Sequence, residues 1–113
     1  MQDGRPTIST HVLDTERGRP AAGVAVTLYR LDVADKPIRM TSVLTDDDGR
    51  VRDLLDRPLV AGQYRLEFAL QIRGDEPGFF TRMTVDLHVT DVGRSYHIPL
   101  LLAPFSMTTY RGS

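Results

Sequence analysis

The feature that most limits what this chain can fold into is a strict two-residue alternation. Residues 63–70 place Tyr64, Leu66, Phe68 and Leu70 on one side and Gln63, Arg65 and Glu67 on the other. Successive side chains of an extended strand point to opposite faces, so the pattern predicts a strand buried on one face. Residues 83–89 repeat it, with Met83, Val85, Leu87 and Val89 set against Thr84, Asp86 and His88. Val24, Val26 and Leu28 alternate within 24–31, and Ile8, Thr10 and Val12 alternate with Ser9, His11 and Leu13 within 7–13. No long segment carries an apolar stripe at helical spacing. Turn-forming clusters at 17–20, 46–49, 61–62, 74–78 and 91–93 separate the runs. Short strands punctuated this way predict an all-β sandwich or barrel.

Length and charge narrow the reading. At 113 residues the chain is expected to be one domain over 1–113, with 1–6 as a flexible lead-in. A chain this long buries a core without staples. The absence of cysteine excludes disulfides and thiolate metal sites. A net charge of −1 lacks the basic excess of a nucleic-acid or anionic-membrane binder, so neither partner is expected. No apolar run is long enough to span a bilayer. Residues Met1–Pro6 lack the apolar segment of a signal peptide, which predicts a soluble, cytoplasmic protein.

One strand departs from the half-buried pattern. Within 95–102, Tyr96, Ile98, Leu100 and Leu102 are suited to the interior, but the other face carries His97, Pro99 and Leu101. Pro99 lacks a ladder donor, which fits a bulge or an edge position. An apolar outer face also fits a subunit interface holding a site, because large exposed apolar patches are rare on monomers. The alternation leaves both readings open.

The chemistry-bearing residues are few. His11 and His97 lie opposite the interior faces of their strands, and they share a surface if those strands are neighbours. Histidine titrates near neutrality and is the usual acid–base group. His88 has no such companion. Two histidines without cysteine or a suitably spaced carboxylate are a poor zinc set, so no metal and no cofactor is expected. No Gly-x-Ser-x-Gly elbow is present. Asp46-Asp47-Asp48-Gly49-Arg50 lacks the ligand spacing of a calcium loop and reads as a turn. The chain finishes on Tyr110-Arg111-Gly112-Ser113 without a frayed polar tail, which leaves open whether the last strand merely stops there or the terminal carboxylate has a task.

Taken together, four stretches resemble the transthyretin-related family, on its hydrolase branch. They are Ser9-Thr10-His11-Val12-Leu13-Asp14-Thr15 continuing into Gly18-Arg19-Pro20-Ala21; Thr45 with Asp48-Gly49-Arg50; Tyr96-His97-Ile98-Pro99-Leu100-Leu101-Leu102; and the terminal Tyr110-Arg111-Gly112-Ser113. The likeness covers the chain from Thr7 onward, and the terminal tetrapeptide separates the hydrolases from the hormone carriers. The resemblance implies a sandwich of two four-stranded antiparallel sheets with at most one short helix. It also implies a homotetramer, a dimer of dimers around a central channel, with strands 7–14 and 95–103 adjacent. The implied activity is hydrolytic ring opening of 5-hydroxyisourate, a small purine-derived substrate. His11, Arg50, His97 and the Ser113 carboxylate are the implied catalytic groups. Arg50 stands at the turn into the fourth strand, and Tyr110, Arg111 and Gly112 join in substrate binding.

The chain departs from the family pattern at Met107, Ala103, Ser95 and Thr81, and its connection 71–79 is short enough to truncate or remove the family's helix. None of these positions touches the implied catalytic set. Two other classes remain as alternatives: a non-catalytic carrier of a small ligand in the same channel, and an immunoglobulin-like binding module. Retention of both histidines and Arg50 argues against the first, and the missing secretion signal and cysteines against the second.

Overall fold

A computed structural model of the chain describes residues 4–70 and 78–112. Among these residues nine strands follow in order: β1 (Ile8–Asp14), β2 (Arg19–Pro20), β3 (Ala25–Leu31), β4 (Pro37–Leu44), β5 (Arg50–Val51), β6 (Gly62–Ala69), β7 (Arg82–Val89), β8 (Tyr96–Ala103) and β9 (Ser106–Thr109). No helix occurs among the described residues. Most of the connection expected to hold the family's short helix, 71–77, lies outside them.

The strands form two sheets, as the alternation predicts. One is ordered β4-β3-β6-β7; the other is ordered β2-β1-β8-β9, with β5 also paired to β1. Val26, Leu28, Tyr64, Leu66 and Phe68 from the first sheet meet Ile8, Val12, Ile98 and Leu100 from the second in one buried core. Leu54, Leu55 and Leu59, from the connection after β5, join it. Met83, Val85 and Leu87 face inward as the alternation requires, but they are only half-buried. Their strand is the edge of its sheet.

Two details refine the expected pair of four-stranded antiparallel sheets. The sheet that holds β1 has five strands, because the two-residue β5 adds to it, and Arg50 opens that fifth strand rather than a fourth. In addition, β1 and β8 run parallel, in unbroken register from Ile8↔Tyr96 to Asp14↔Leu102. Antiparallel partners can be joined by a short hairpin, but parallel ones need a long crossover. Here most of the chain lies between the two strands, so nothing forces them antiparallel.

The register also answers the question that Pro99 raised. Its strand is neither an edge nor bulged: β8 lies between β1 and β9. The Pro99 carbonyl accepts the Thr109 hydroxyl at 2.7 Å. A residue's N–H and C=O leave a strand on the same side, so the donor that Pro99 lacks would have pointed toward β9. The ladder with β9 begins only at Leu100↔Thr109, so no bond to β1 is lost.

Thr45 explains its place in the quoted pattern. It is buried, its hydroxyl donates to the Ala21 carbonyl at 2.7 Å, and it accepts the Val24 N–H at 2.9 Å. It therefore pins the turn between β2 and β3 from inside. Ser95 accepts the Thr7 N–H at 2.9 Å, which fastens the chain just before β1.

Candidate active site

The parallel pairing of β1 and β8 sets the geometry of the site. It places Ser9 directly beside His97 and His11 beside Pro99. On the other flank of β1, His11 is the register partner of Arg50 in the antiparallel β5 pair. Directly opposed residues of a sheet share a face. Ile8, Thr10 and Val12 are buried inside the sandwich, so Ser9, His11, Arg50 and His97 stand together on the outer face. The two histidines meet as their parity requires, and Arg50 joins them through β5.

The turn before Arg50 is built to hold this arrangement. The Asp46 carboxylate accepts the N–H groups of Asp48 and Arg50, each at 2.9 Å. The Arg50 N–H, ahead of the Asp48 N–H and the nearby arginine charges, keeps that carboxyl below the usual carboxylate range. Gly49 adopts φ +74° and donates to the Asp46 carbonyl at 2.9 Å. Its own carbonyl accepts the Val12 N–H at 2.7 Å, fastening the turn to β1. The Asp48 carbonyl is thereby held 2.8 Å from His11 Nε2. A carbonyl only accepts, so His11 carries a proton on Nε2 and keeps Nδ1 for another partner.

His97 is half-buried, with Nδ1 at 2.8 Å from the Ser9 hydroxyl. Burial, followed by the positive charges of Arg50 and His11, pushes its pKa below the 6.5 of an ordinary histidine. The ring is therefore neutral near pH 7 and available to accept a proton. Gly112 presses against it: the Gly112 N–H donates to the His97 carbonyl at 2.6 Å. A Cβ at position 112 would stand 2.7 Å from His97 Cδ2. Two residues of the terminal tetrapeptide have a different setting. Tyr110 and Arg111 border a cleft of 290 Å³ between β7 and the chain after β9, with Val85, Leu87, His88 and Ile98. Ser113, expected to contribute its carboxylate, lies outside the described residues.

A pH prediction follows from His97. A folded-state pKa below the unfolded value means that stability is present above the unfolded pKa and is lost as pH falls through the folded one. The NMR titration midpoint of His97 should lie below 6.5 and move upward in Arg50→Ala, which removes one opposing charge. The acid-side loss of stability should shrink in His97→Ala. A midpoint at or above 6.5 in the parent protein overturns this.

Among the described residues, no group of three or more His, Cys, Asp or Glu could hold a metal ion. Ser9 is the member of the cluster that the sequence reading did not single out. The signal was present: Ser9 shares the face of His11, and sliding strands 7–14 and 95–103 into parallel register puts it against His97. The arrangement supplies a neutral imidazole, a second imidazole of fixed tautomer and a guanidinium within one surface. That set can activate water, move a proton and neutralise a developing oxyanion.

Residues 8–112 match the HIUase/Transthyretin family model. The chain is 40% identical over 118 residues to the 5-hydroxyisourate hydrolase of Deinococcus radiodurans, covering 97% of this chain and 98% of that relative. Among solved structures, it resembles the 5-hydroxyisourate hydrolase of Klebsiella pneumoniae with a TM-score of 0.81 and 35% identity, covering 95% and 99% of the two chains. The transthyretin of Sparus aurata aligns with a TM-score of 0.84 and 27% identity, covering 95% and 97%.

Proposed function

We infer the activity from one premise: this chain belongs to the HIUase/Transthyretin family. Its reaction is the hydrolysis of 5-hydroxyisourate, opening the ring to 2-oxo-4-hydroxy-4-carboxy-5-ureidoimidazoline in urate degradation. Backbone likeness alone is common to hydrolase and transthyretin, whose TM-scores are 0.81 and 0.84. The observation that carries the reading is the outer-face cluster of His11, Arg50 and His97, held by strand register and the 46–50 turn. A carrier has no need of a neutral imidazole beside a guanidinium.

In the mechanism we propose, His97 takes a proton from water while the water oxygen bonds to the ring carbonyl carbon. Arg50 donates its planar fork to the carbonyl oxygen as negative charge grows there. The C–N bond then breaks and the ring nitrogen takes up a proton, relayed by the histidines. In this reading Gly112 holds His97 in place and the Ser113 carboxylate borders the substrate, while Tyr110 and Arg111, which line the cleft beside β7, reach it only across the assembled channel. We assign the whole of 1–113 to this one catalytic domain, working in the cytoplasm as a homotetramer. Support for assembly comes from Leu101, apolar and only half-buried on the outer face of β8, two positions beyond the buried Pro99. No helix among the described residues is long and apolar enough to cross a membrane.

The test follows the ultraviolet decay of freshly made 5-hydroxyisourate with and without protein, alongside the light-scattering mass of the same sample. Faster decay by a tetramer is the expected result. Decay at the uncatalysed rate overturns the activity, and an active monomer overturns the assembly.

A further inference from the structure

Ser9 has a contact that its place on a strand surface does not require. Its hydroxyl lies 2.8 Å from His97 Nδ1, across strands whose register fixes both backbones. We propose that Ser9 is the positioning residue for His97: it occupies Nδ1 and leaves Nε2 as the only ring nitrogen that exchanges a proton with water and substrate. The proposal deepens the hydrolytic reading above and rests on it.

Three observations support it. The ring is held from two sides, by Ser9 at Nδ1 and by Gly112 against Cδ2, which adjoins Nε2. The pairing beneath it is also tied, since the Thr10 hydroxyl donates to the Ile98 carbonyl at 2.6 Å and the Tyr96 N–H to the Thr7 carbonyl at 2.8 Å. Finally, the two imidazoles have partners of different chemistry. The Asp48 carbonyl at His11 only accepts and fixes one tautomer. The hydroxyl at His97 both donates and accepts, and it carries no charge. A carboxylate in that place would raise the imidazole pKa. A hydroxyl orients the ring while burial, followed by the neighbouring Arg50 and His11, holds its pKa below that of an ordinary histidine.

The proton balance is simple. In the reactive form Nδ1–H donates to Ser9 Oγ, and the Nε2 lone pair takes the proton of the attacking water. When the C–N bond breaks, that proton leaves from Nε2 toward the ring nitrogen. The Nδ1 proton and its bond to Ser9 stay in place throughout.

The experiment compares Ser9→Ala and Ser9→Thr with the parent protein in steady-state kinetics and in ¹⁵N NMR of the histidine rings. Ser9→Ala should lower kcat about ten- to a hundredfold with KM changed by less than about twofold. Ser9→Thr, which keeps the hydroxyl, should recover kcat to within about threefold of the parent. The His97 spectrum should show a protonated Nδ1 in the parent and in Ser9→Thr, and a mixture of tautomers in Ser9→Ala. An unchanged kcat in Ser9→Ala, an equal loss in both variants, or a tautomer state indifferent to the hydroxyl overturns the proposal. If the parent protein itself fails to accelerate the decay of 5-hydroxyisourate, the hydrolytic reading falls, and the NMR comparison still decides the Ser9–His97 contact.

Discussion

His97→Ala is expected to lower kcat for 5-hydroxyisourate by about a hundred- to ten-thousandfold, the usual range for removing a positioned acid–base group. The protein should nevertheless stay folded. His97 sits on the outer face of β8, while Tyr96, Ile98 and Leu100 on the inner face supply the packing. The variant loses one hydrogen bond, to Ser9, a change of about 1 kcal/mol. It also removes a group whose charging the fold disfavours. Steady-state rates together with a urea melt check both halves. A kcat within a few-fold of the parent would remove His97 from the chemistry, and a collapse of stability would make it a structural residue.

Gly49→Ala should produce the largest loss of stability, and activity should fall with it. Gly49 occupies φ +74°, where a side chain is strained, and an added Cβ would stand 2.3 Å from the Val12 carbonyl oxygen. The obstructing atom is backbone of a central core strand, so it has little room to move. Left-handed strain alone costs about 1–2 kcal/mol, and forcing the turn off β1 adds the loss of the Gly49–Val12 hydrogen bond. A total of about 3 kcal/mol is the expected scale. The same displacement carries the Asp48 carbonyl away from His11 and Arg50 away from its register partner. A thermal melt within a degree of the parent, or full activity in the variant, would contradict this account of the turn.

How much of this was readable beforehand depended on burial contrast. β6 alternates sharply because one face is core and the other solvent, and its residues were assigned to the correct faces from the sequence alone. β1 was legible for the same reason; β8, apolar on both faces, was legible through the parity of Tyr96, Ile98, Leu100 and Leu102, and with it came the shared face of His11 and His97. β4 was not: as the outermost strand of its sheet it is exposed over most of both faces, so Pro37–Leu44 carries no alternation. The two-residue strands β2 and β5 are too short to show a period. Arg50 was reached through family resemblance, because its position depends on β5 pairing with β1, a contact between distant segments. The parallel sense of β1 and β8 has no local signature either. Ser9 lay on the correct face from the start, but its partnership with His97 needed the register.

The pairing of β1 with β8 also has a consequence for when the protein can work during its synthesis. Ser9 and His97 are 88 positions apart, and contacts of such long range are formed late because the intervening chain must first be ordered. The other sheet, by contrast, joins β3 to β4 and β6 to β7, segments that follow one another along the chain. Those hairpins join neighbouring segments, whereas β1, although it pairs early with β2 and β5, must wait for β8. The imidazole pair comes into being only when β8 docks, and the wedge on His97 only when Gly112 follows. A prematurely terminated chain therefore holds His11 and Arg50 but no active site. Catalytic competence therefore waits on the docking of β8 beside β1, after the hairpins of the other sheet have had their partners.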